Sequence, residues 1–86
     1  MSPIRTLEQR SKMIARFEQE LATGLERFNR AAREKHRFLM DLQGHQTITL
    51  EDRHRFLELM RVEQVAYREY QAVQVQVQKF LRQNVG

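Results

Sequence analysis

The sequence predicts an all-α protein, an antiparallel hairpin of two long helices. Apolar side chains recur every seven residues through the first half of the chain, and a second helical pattern of apolar residues follows Gly44. Only three glycines and one proline occur among the 86 residues, so few positions can end a helix. The positions of the first heptad ladder are Leu7, Ile14, Leu21, Phe28, Lys35 and Leu42, with a partner row at Leu25, Ala32 and Leu39.

The first helix is predicted over residues 6–43, after an N-terminal tail of residues 1–5. Thr6 is the expected N-cap, and Gln9 is its partner in a capping box. Gly44 is expected to end the helix in a left-handed backbone conformation. Gly24 lies in mid-helix, where glycine costs roughly 1 kcal/mol relative to alanine. It predicts either a kink at residues 23–24 or the close approach of a neighbouring helix.

Residues 44–48 form the predicted turn, and the second helix is predicted over residues 49–84. Thr49 is the expected cap, with Asp52 at the third helical position. The segment 73–78 alternates valine and glutamine, a period typical of a strand. Because no turn residue separates this segment from the helical pattern on either side, we expect it to be helical.

The predicted hairpin is a single domain of residues 1–86, and two helices bury little apolar surface between them. Chains this small generally need disulfides, a metal, very good helix packing or a partner. The chain has no cysteine, which excludes disulfides and fits a cytoplasmic location. We therefore expect a four-helix bundle, completed by dimerisation or by docking a partner helix.

A minor apolar stripe on the second helix lies apart from its main apolar face. A helix that packs on only one neighbour buries a single apolar face, so it would leave such a stripe exposed. We predict that it is a partner-docking face. Its residues are Val62, Val65, Ala72 and Val75.

The net charge of +4 is concentrated in residues 27–37, where five basic residues stand against one acid. Four arginines in this segment advance by three or four residues and share one sector of the helix. The stripe is either a solvated surface, a docking surface for an acidic protein, or a phosphate-binding surface. This candidate basic binding face consists of Arg27, Arg30, Arg33 and Arg37.

Three polar residues, Lys35, Glu63 and Gln74, occupy positions of the apolar pattern. Polar groups in the core of a helical bundle often set register or partner identity, so these three are candidates for that role. Lys35 and Glu63 lie at similar distances from the turn. They either meet within the hairpin, meet across a dimer, or extend their charged ends to the edge of the seam.

The sequence shows no pattern typical of a catalytic site. The only serines are Ser2 and Ser11, and no glycine-rich phosphate loop is present. The evenly spaced His36, His45 and His54 lack the spacing of metal ligands. We expect no enzymatic activity, no cofactor, no metal, no small-molecule ligand and no membrane partner.

The predicted function is that of a non-enzymatic protein–protein interaction module, a small adaptor, chaperone or regulator that acts by helix–helix docking. Its expected partners are a second copy of the chain, a helical protein, or both. The alternative is a Rop-like nucleic-acid-binding bundle, a dimer that presents its arginine stripe to RNA or DNA.

Overall fold

The computed structural model describes the backbone of residues 3–84 and the side chains of residues 7–84. Helix α1 spans Pro3–Leu42 and helix α2 spans Leu50–Gln83. The two helices pack against each other as a hairpin that is 68 Å long and 16 by 15 Å across. The predicted all-α two-helix hairpin is confirmed.

Helix α1 begins at Pro3, so Thr6 lies inside the helix and its prediction as the N-cap is wrong. Proline suits the first position of a helix because its fixed φ is already helical. The N–H that it lacks would also have no intrahelical partner there. Residues 3–5 of the predicted tail are therefore helical, and residues 1–2 of that tail lie outside the described residues.

The end of α1 also differs from its prediction. The φ angle of Gly44 lies outside the left-handed region. Instead, the N–H groups of Gln43, Gly44 and His45 each donate to the carbonyl three residues earlier, at 3.2, 3.2 and 3.0 Å. These tighter bonds engage the last carbonyls of the helix, so the chain leaves α1 without a left-handed residue.

Helix α2 begins with the predicted capping box, which is confirmed. The Asp52 N–H donates to Thr49 Oγ1 at 3.1 Å, and the Thr49 N–H donates to Asp52 Oδ2 at 2.9 Å. The bond from the Thr49 backbone stabilises the carboxylate and holds the pKa of Asp52 below its ordinary value of 3.8.

Residues 73–78 are helical, as predicted, because α2 runs unbroken to Gln83. Val73 and Val77 are half-buried along the same side of α2, four residues apart, whereas Val75 is exposed. The alternation of valine and glutamine therefore does not indicate a strand. Two of the valines occupy inward positions of the helix, four residues apart, and the third lies between them on another face.

Gly24 marks a close approach of the two helices, and α1 continues unbroken through residues 23–24. A Cβ atom built on Gly24 would lie 3.3 Å from Cδ1 of Tyr70 and 3.5 Å from its Cα. Even alanine at this position would therefore press on the Tyr70 ring. The contact between the helices accounts for a glycine that helix propensity alone disfavours.

The most buried positions of α1 form a row that the heptad ladder does not include. Phe17, Gly24 and Ala31 recur every seven residues and are all buried. The predicted partner row lies farther from α2, and its leucines, Leu25 and Leu39, are exposed. The apolar pattern did not identify this row as the most buried one, because glycine and alanine contribute little to such a pattern although they allow the closest helix packing.

Candidate functional site

The seam between the helices contains two rows of side chains, and they differ in burial. We call the first the closed row, because four of its members are only 4–8% exposed: Phe17, Ala31, Leu59 and Ala66. The remaining members of the closed row are Gly24, Phe38, Val73 and Phe80. The open row is half-buried or exposed along its whole length. It consists of Ile14, Leu21, Phe28, Lys35 and Leu42 on α1, and Phe56, Glu63, Tyr70 and Val77 on α2.

Charged side chains flank the closed row on both helices. Three grooves lie on this side of the rod, and all three have closed-row residues at their base. We call it the charged side and define it by the residues along these grooves. Apart from the closed-row residues, they are Met13, Arg16, Arg27, Arg30, Glu34, Arg37 and Asp41 on α1, and Arg55, Val62, Val65, Glu69, Gln76, Lys79 and Gln83 on α2.

The central groove of the charged side, about 270 Å³ in volume, brings together parts of the two predicted binding faces. Arg27 and Arg30 line it from α1, and Val62 and Val65 line it from α2. The sequence analysis assigned these residues to separate helices and predicted no contact between the two faces. The full lining is Arg27, Arg30, Ala31, Glu34, Val62, Val65, Ala66 and Glu69.

The arginines of the central groove form loose and solvent-exposed ion pairs. Arg27 Nη1 lies 3.9 Å from Glu69 Oε2, and Arg30 Nη2 lies 3.2 Å from Glu26 Oε1. Each of these side chains is more than half exposed. Exposed pairs of this kind contribute at most about 1 kcal/mol, so both guanidinium groups can exchange their partners for a ligand at little cost.

The other members of the two predicted faces do not line this groove. Arg37 lines a separate groove near the turn, together with Glu34, Asp41 and Arg55. Arg33 is exposed, as are Ala72 and Val75. The predicted docking stripe on α2 is therefore divided, and only its first two valines belong to the groove that contains the arginines.

The open row is flanked by residues without formal charge, and we call this surface the neutral side. Phe28 and Tyr67 pack there with ring centroids 5.3 Å apart, and Gln71 Nε2 donates to the Tyr67 hydroxyl at 3.0 Å. Glu18 and Arg53 bound the surface at its ends. It consists of Ala22, Leu25, Asn29, Ala32, His36 and Leu39 on α1, and Leu57, Met60, Gln64, Tyr67, Gln71, Gln74, Gln78 and Leu81 on α2.

The sequence interpretation did not recognise the neutral side as a surface. One signal was available in the sequence: four glutamines and no charged residue occur among the residues of α2 that define it. Leu57, Tyr67 and Leu81 are each 45–54% exposed on this surface. Their exposure shows that the hairpin alone does not bury the apolar residues of this side.

Two of the three predicted polar core residues meet within the hairpin. Lys35 Nζ donates to Glu63 Oε1 at 2.7 Å, and the two side chains are 28% and 19% exposed. Both belong to the open row, so they lie beside the neutral side. Gln74 is exposed in the single hairpin and does not join this pair, so its role in the core of a bundle stays a prediction. It faces away from the seam because Val73 and Val77 occupy the inward positions of that turn.

The described residues contain no group of three or more His, Cys, Asp or Glu side chains that could hold a metal ion. His45 lies in the turn, and His36 and His54 lie on the two helices near it. Between Pro3 and Gln83, neither helix is long and apolar enough to cross a membrane.

No protein-family model matches the chain, and no curated protein or solved structure shows significant similarity to it.

Proposed function

We propose that this chain is a non-enzymatic protein–protein interaction module that acts by helix–helix docking. The proposal includes a four-helix bundle in which the hairpin supplies two helices. The central groove of the charged side is the proposed binding site for the partner. The observation that supports this most directly is that Val62 and Val65 share one groove with Arg27 and Arg30.

The chemistry of the groove indicates what kind of helix fits it. The valines are exposed apolar anchors in a shallow depression between the helices, where an apolar side chain of a partner helix can pack. Arginine is the basic residue best suited to pairing with carboxylates at interfaces. The proposed partner is therefore an amphipathic helix whose apolar stripe is flanked by acidic residues.

A fluorescent synthetic peptide tests this proposal by anisotropy titration. The peptide is an amphipathic helix of about 20 residues with a leucine stripe flanked by glutamates. Val65→Lys should weaken its binding about tenfold or more, which corresponds to about 1.4 kcal/mol, because the apolar anchor is lost. The same substitution at Val75, which has the same 46% exposure but lies outside the groove, is the matched control and should leave the affinity unchanged.

This pair of variants also separates docking from simple charge attraction. Both substitutions add one positive charge to α2. If both variants bind the acidic peptide more tightly than the original chain, charge alone governs the interaction and the groove is not a docking site. A control peptide with lysines in place of the glutamates should bind more weakly to every variant, because it meets the arginines with like charge.

Nucleic-acid binding is the rival proposal, supported by the exposure of all four arginines of the stripe. The exposed Val62 and Val65 beside the arginines have no matching group on a phosphate backbone, and this favours the helical partner. A labelled RNA duplex distinguishes the two proposals. If the duplex binds with a steep salt dependence, loses affinity in Arg30→Ala/Arg33→Ala and gains affinity in Val65→Lys, the rival is supported.

A further inference from the structure

We infer that the neutral side is the contact surface for a second copy of this chain. In this dimer, α1 of each copy packs on α2 of the other, and the two turns lie at the same end. The inference rests on the proposed four-helix bundle and assigns its other two helices to a second copy on the neutral side. The docking groove lies on the opposite side of the rod and remains open to the helical partner.

The first argument is that the hairpin leaves one row of its seam uncovered. Four residues of the closed row are at most 8% exposed. No residue of the open row is buried to that degree, although the row includes Leu21, Phe28 and Tyr70. Since these apolar groups adjoin mostly uncharged residues, the Lys35–Glu63 pair is the main charged group that a partner would remove from water.

The second argument comes from the dimensions of the surface. It spans both helices of a rod 16 Å wide and extends along residues 57–81 of α2, about 36 Å of helix. A single helix is only about 10 Å wide and would leave one of the two helices uncovered. A second hairpin has the matching width.

The third argument concerns the sizes of the side chains on the two helices. On α1 the neutral side contains two alanines, Ala22 and Ala32, beside larger residues such as Leu25 and Leu39. On α2 it contains no alanine, and its residues are leucine, methionine, tyrosine and glutamine. Two-fold symmetry makes each contact occur twice. If α1 faces α2 of the other copy, the helix that contains the alanines meets the helix of larger residues in both contacts.

This pairing determines the orientation of the dimer. A two-fold axis along the rod places α1 opposite α2 of the other copy and puts both turns at the same end. An axis across the rod would place α2 against α2, so the large residues would meet each other and the turns would lie at opposite ends. The size pattern therefore favours the axis along the rod.

Light scattering on a sizing column tests the contact surface. The original chain should have twice the 10.4 kDa mass of one copy. Leu25→Lys on the neutral side should shift the mass to that of a single copy. Val65→Lys on the charged side, a site of similar exposure, is the matched control and should remain dimeric. Ala22→Arg removes no packing within the hairpin, so it keeps the test decisive if Leu25→Lys fails to fold.

The inference is overturned if the original chain is a monomer, or if Val65→Lys dissociates the dimer while Ala22→Arg does not. The peptide titration distinguishes this failure from a failure of the proposed function. A monomer that still binds the acidic peptide refutes the dimer alone. A dimer that does not bind the peptide refutes only the proposal that the groove is a docking site.

The orientation is tested with one spin label per chain, at Gln46→Cys in the turn, because the chain has no other cysteine. Turns at the same end predict a distance between labels below about 30 Å, since the bundle is only two helices across in each direction. Turns at opposite ends predict a distance near the 68 Å length of the rod, and this result would refute the proposed orientation.

Discussion

The two sides of the seam differ in what covers the apolar residues beneath them. On the charged side, arginine and glutamate side chains flank closed-row residues such as Ala31 and Ala66, which are buried within one chain. On the neutral side, the flanking residues include alanine, leucine and glutamine, and no residue of the open row is fully buried. Long charged side chains can cover apolar surface with their stems while their charged ends stay in water.

This difference shows how one hairpin can offer two distinct binding surfaces. A side that covers its own core remains soluble and can bind a partner reversibly through exposed anchors such as Val65. A side that leaves its core partly open gains stability only when another molecule covers it. The two proposals assign these roles to the charged and neutral sides. Two further predictions test the difference, and a third serves as a reference at a site outside both sides.

The largest effect is expected from enlarging adjacent alanines that face different sides. Ala31→Leu adds bulk to the closed row, where Ala31 is 4% exposed, and should lower the free energy of unfolding by about 1–3 kcal/mol. Ala32→Leu places the same side chain on the neutral side, where Ala32 is only partly buried in a single chain. Chemical denaturation measured by circular dichroism provides the comparison.

The substitution at Ala32 should change the unfolding free energy of the single chain by less than about 0.5 kcal/mol. To isolate that effect, both alanine variants are compared in an Ala22→Arg background, which disfavours the proposed dimer. Equal losses for the two variants would contradict the difference between a closed and an open row.

An intermediate effect is expected from the ion pairs on the two sides. Lys35→Met leaves the Glu63 carboxylate largely enclosed without its partner and should cost about 1–2 kcal/mol. Arg27→Met removes an exposed pair of 3.9 Å and should cost less than about 0.5 kcal/mol. Thermal unfolding at one fixed protein concentration measures both losses.

The double variant Lys35→Met/Glu63→Met completes a thermodynamic cycle for the half-buried pair. It should recover most of the loss, because two apolar residues replace two charges beside an apolar surface. If the double variant is as unstable as Lys35→Met, the ion pair is not the source of the effect. A loss from Arg27→Met as large as that from Lys35→Met would remove the distinction between the two pairs.

The smallest effect is expected at the start of α2, away from both sides of the seam. Because the hydrogen bond from Thr49 holds the pKa of Asp52 below 3.8, its ionised form stabilises the folded state above that pH. This contribution should be lost as the pH falls through the lowered pKa. Asp52→Asn should therefore show a shallower loss of thermal stability on acidification than the original chain.

Glu51→Gln is the control for this pH effect, since it removes the same charge from the first turn of α2 but leaves the capping box in place. It should follow the pH dependence of the original chain more closely than Asp52→Asn does. Identical pH profiles for the two variants would mean that the negative charge near the helix N-terminus matters, and not the hydrogen bond to Thr49.

Local sequence features predicted much of the fold. The helical periods, the capping box of Thr49 and Asp52, and the helical state of residues 73–78 were all predictable because they depend on neighbouring residues. The predicted N-cap at Thr6 failed, although it resembles the pattern at Thr49, because Pro3 allows the helix to begin earlier. A capping motif shows where a helix can begin and does not prevent it from beginning sooner.

The binding surfaces were predictable only in part. The arginine stripe and the valine stripe could be identified from spacing, but not the groove that joins Arg27 and Arg30 to Val62 and Val65. Nor did spacing separate the valines of the groove from Val75. These relationships depend on the rotation and register of one helix against the other, which a pattern within one helix does not contain.

The sequence by itself determined that this chain forms two long helices joined by a short turn, because periodicity, caps and the scarcity of glycine and proline act locally. Only the tertiary structure decided which of two neighbouring rows is buried, that Gly24 contacts Tyr70, and that Lys35 meets Glu63 within one hairpin. The physical reason is that close helix packing favours small residues at the contact, and hydrophobic patterns give small residues little weight.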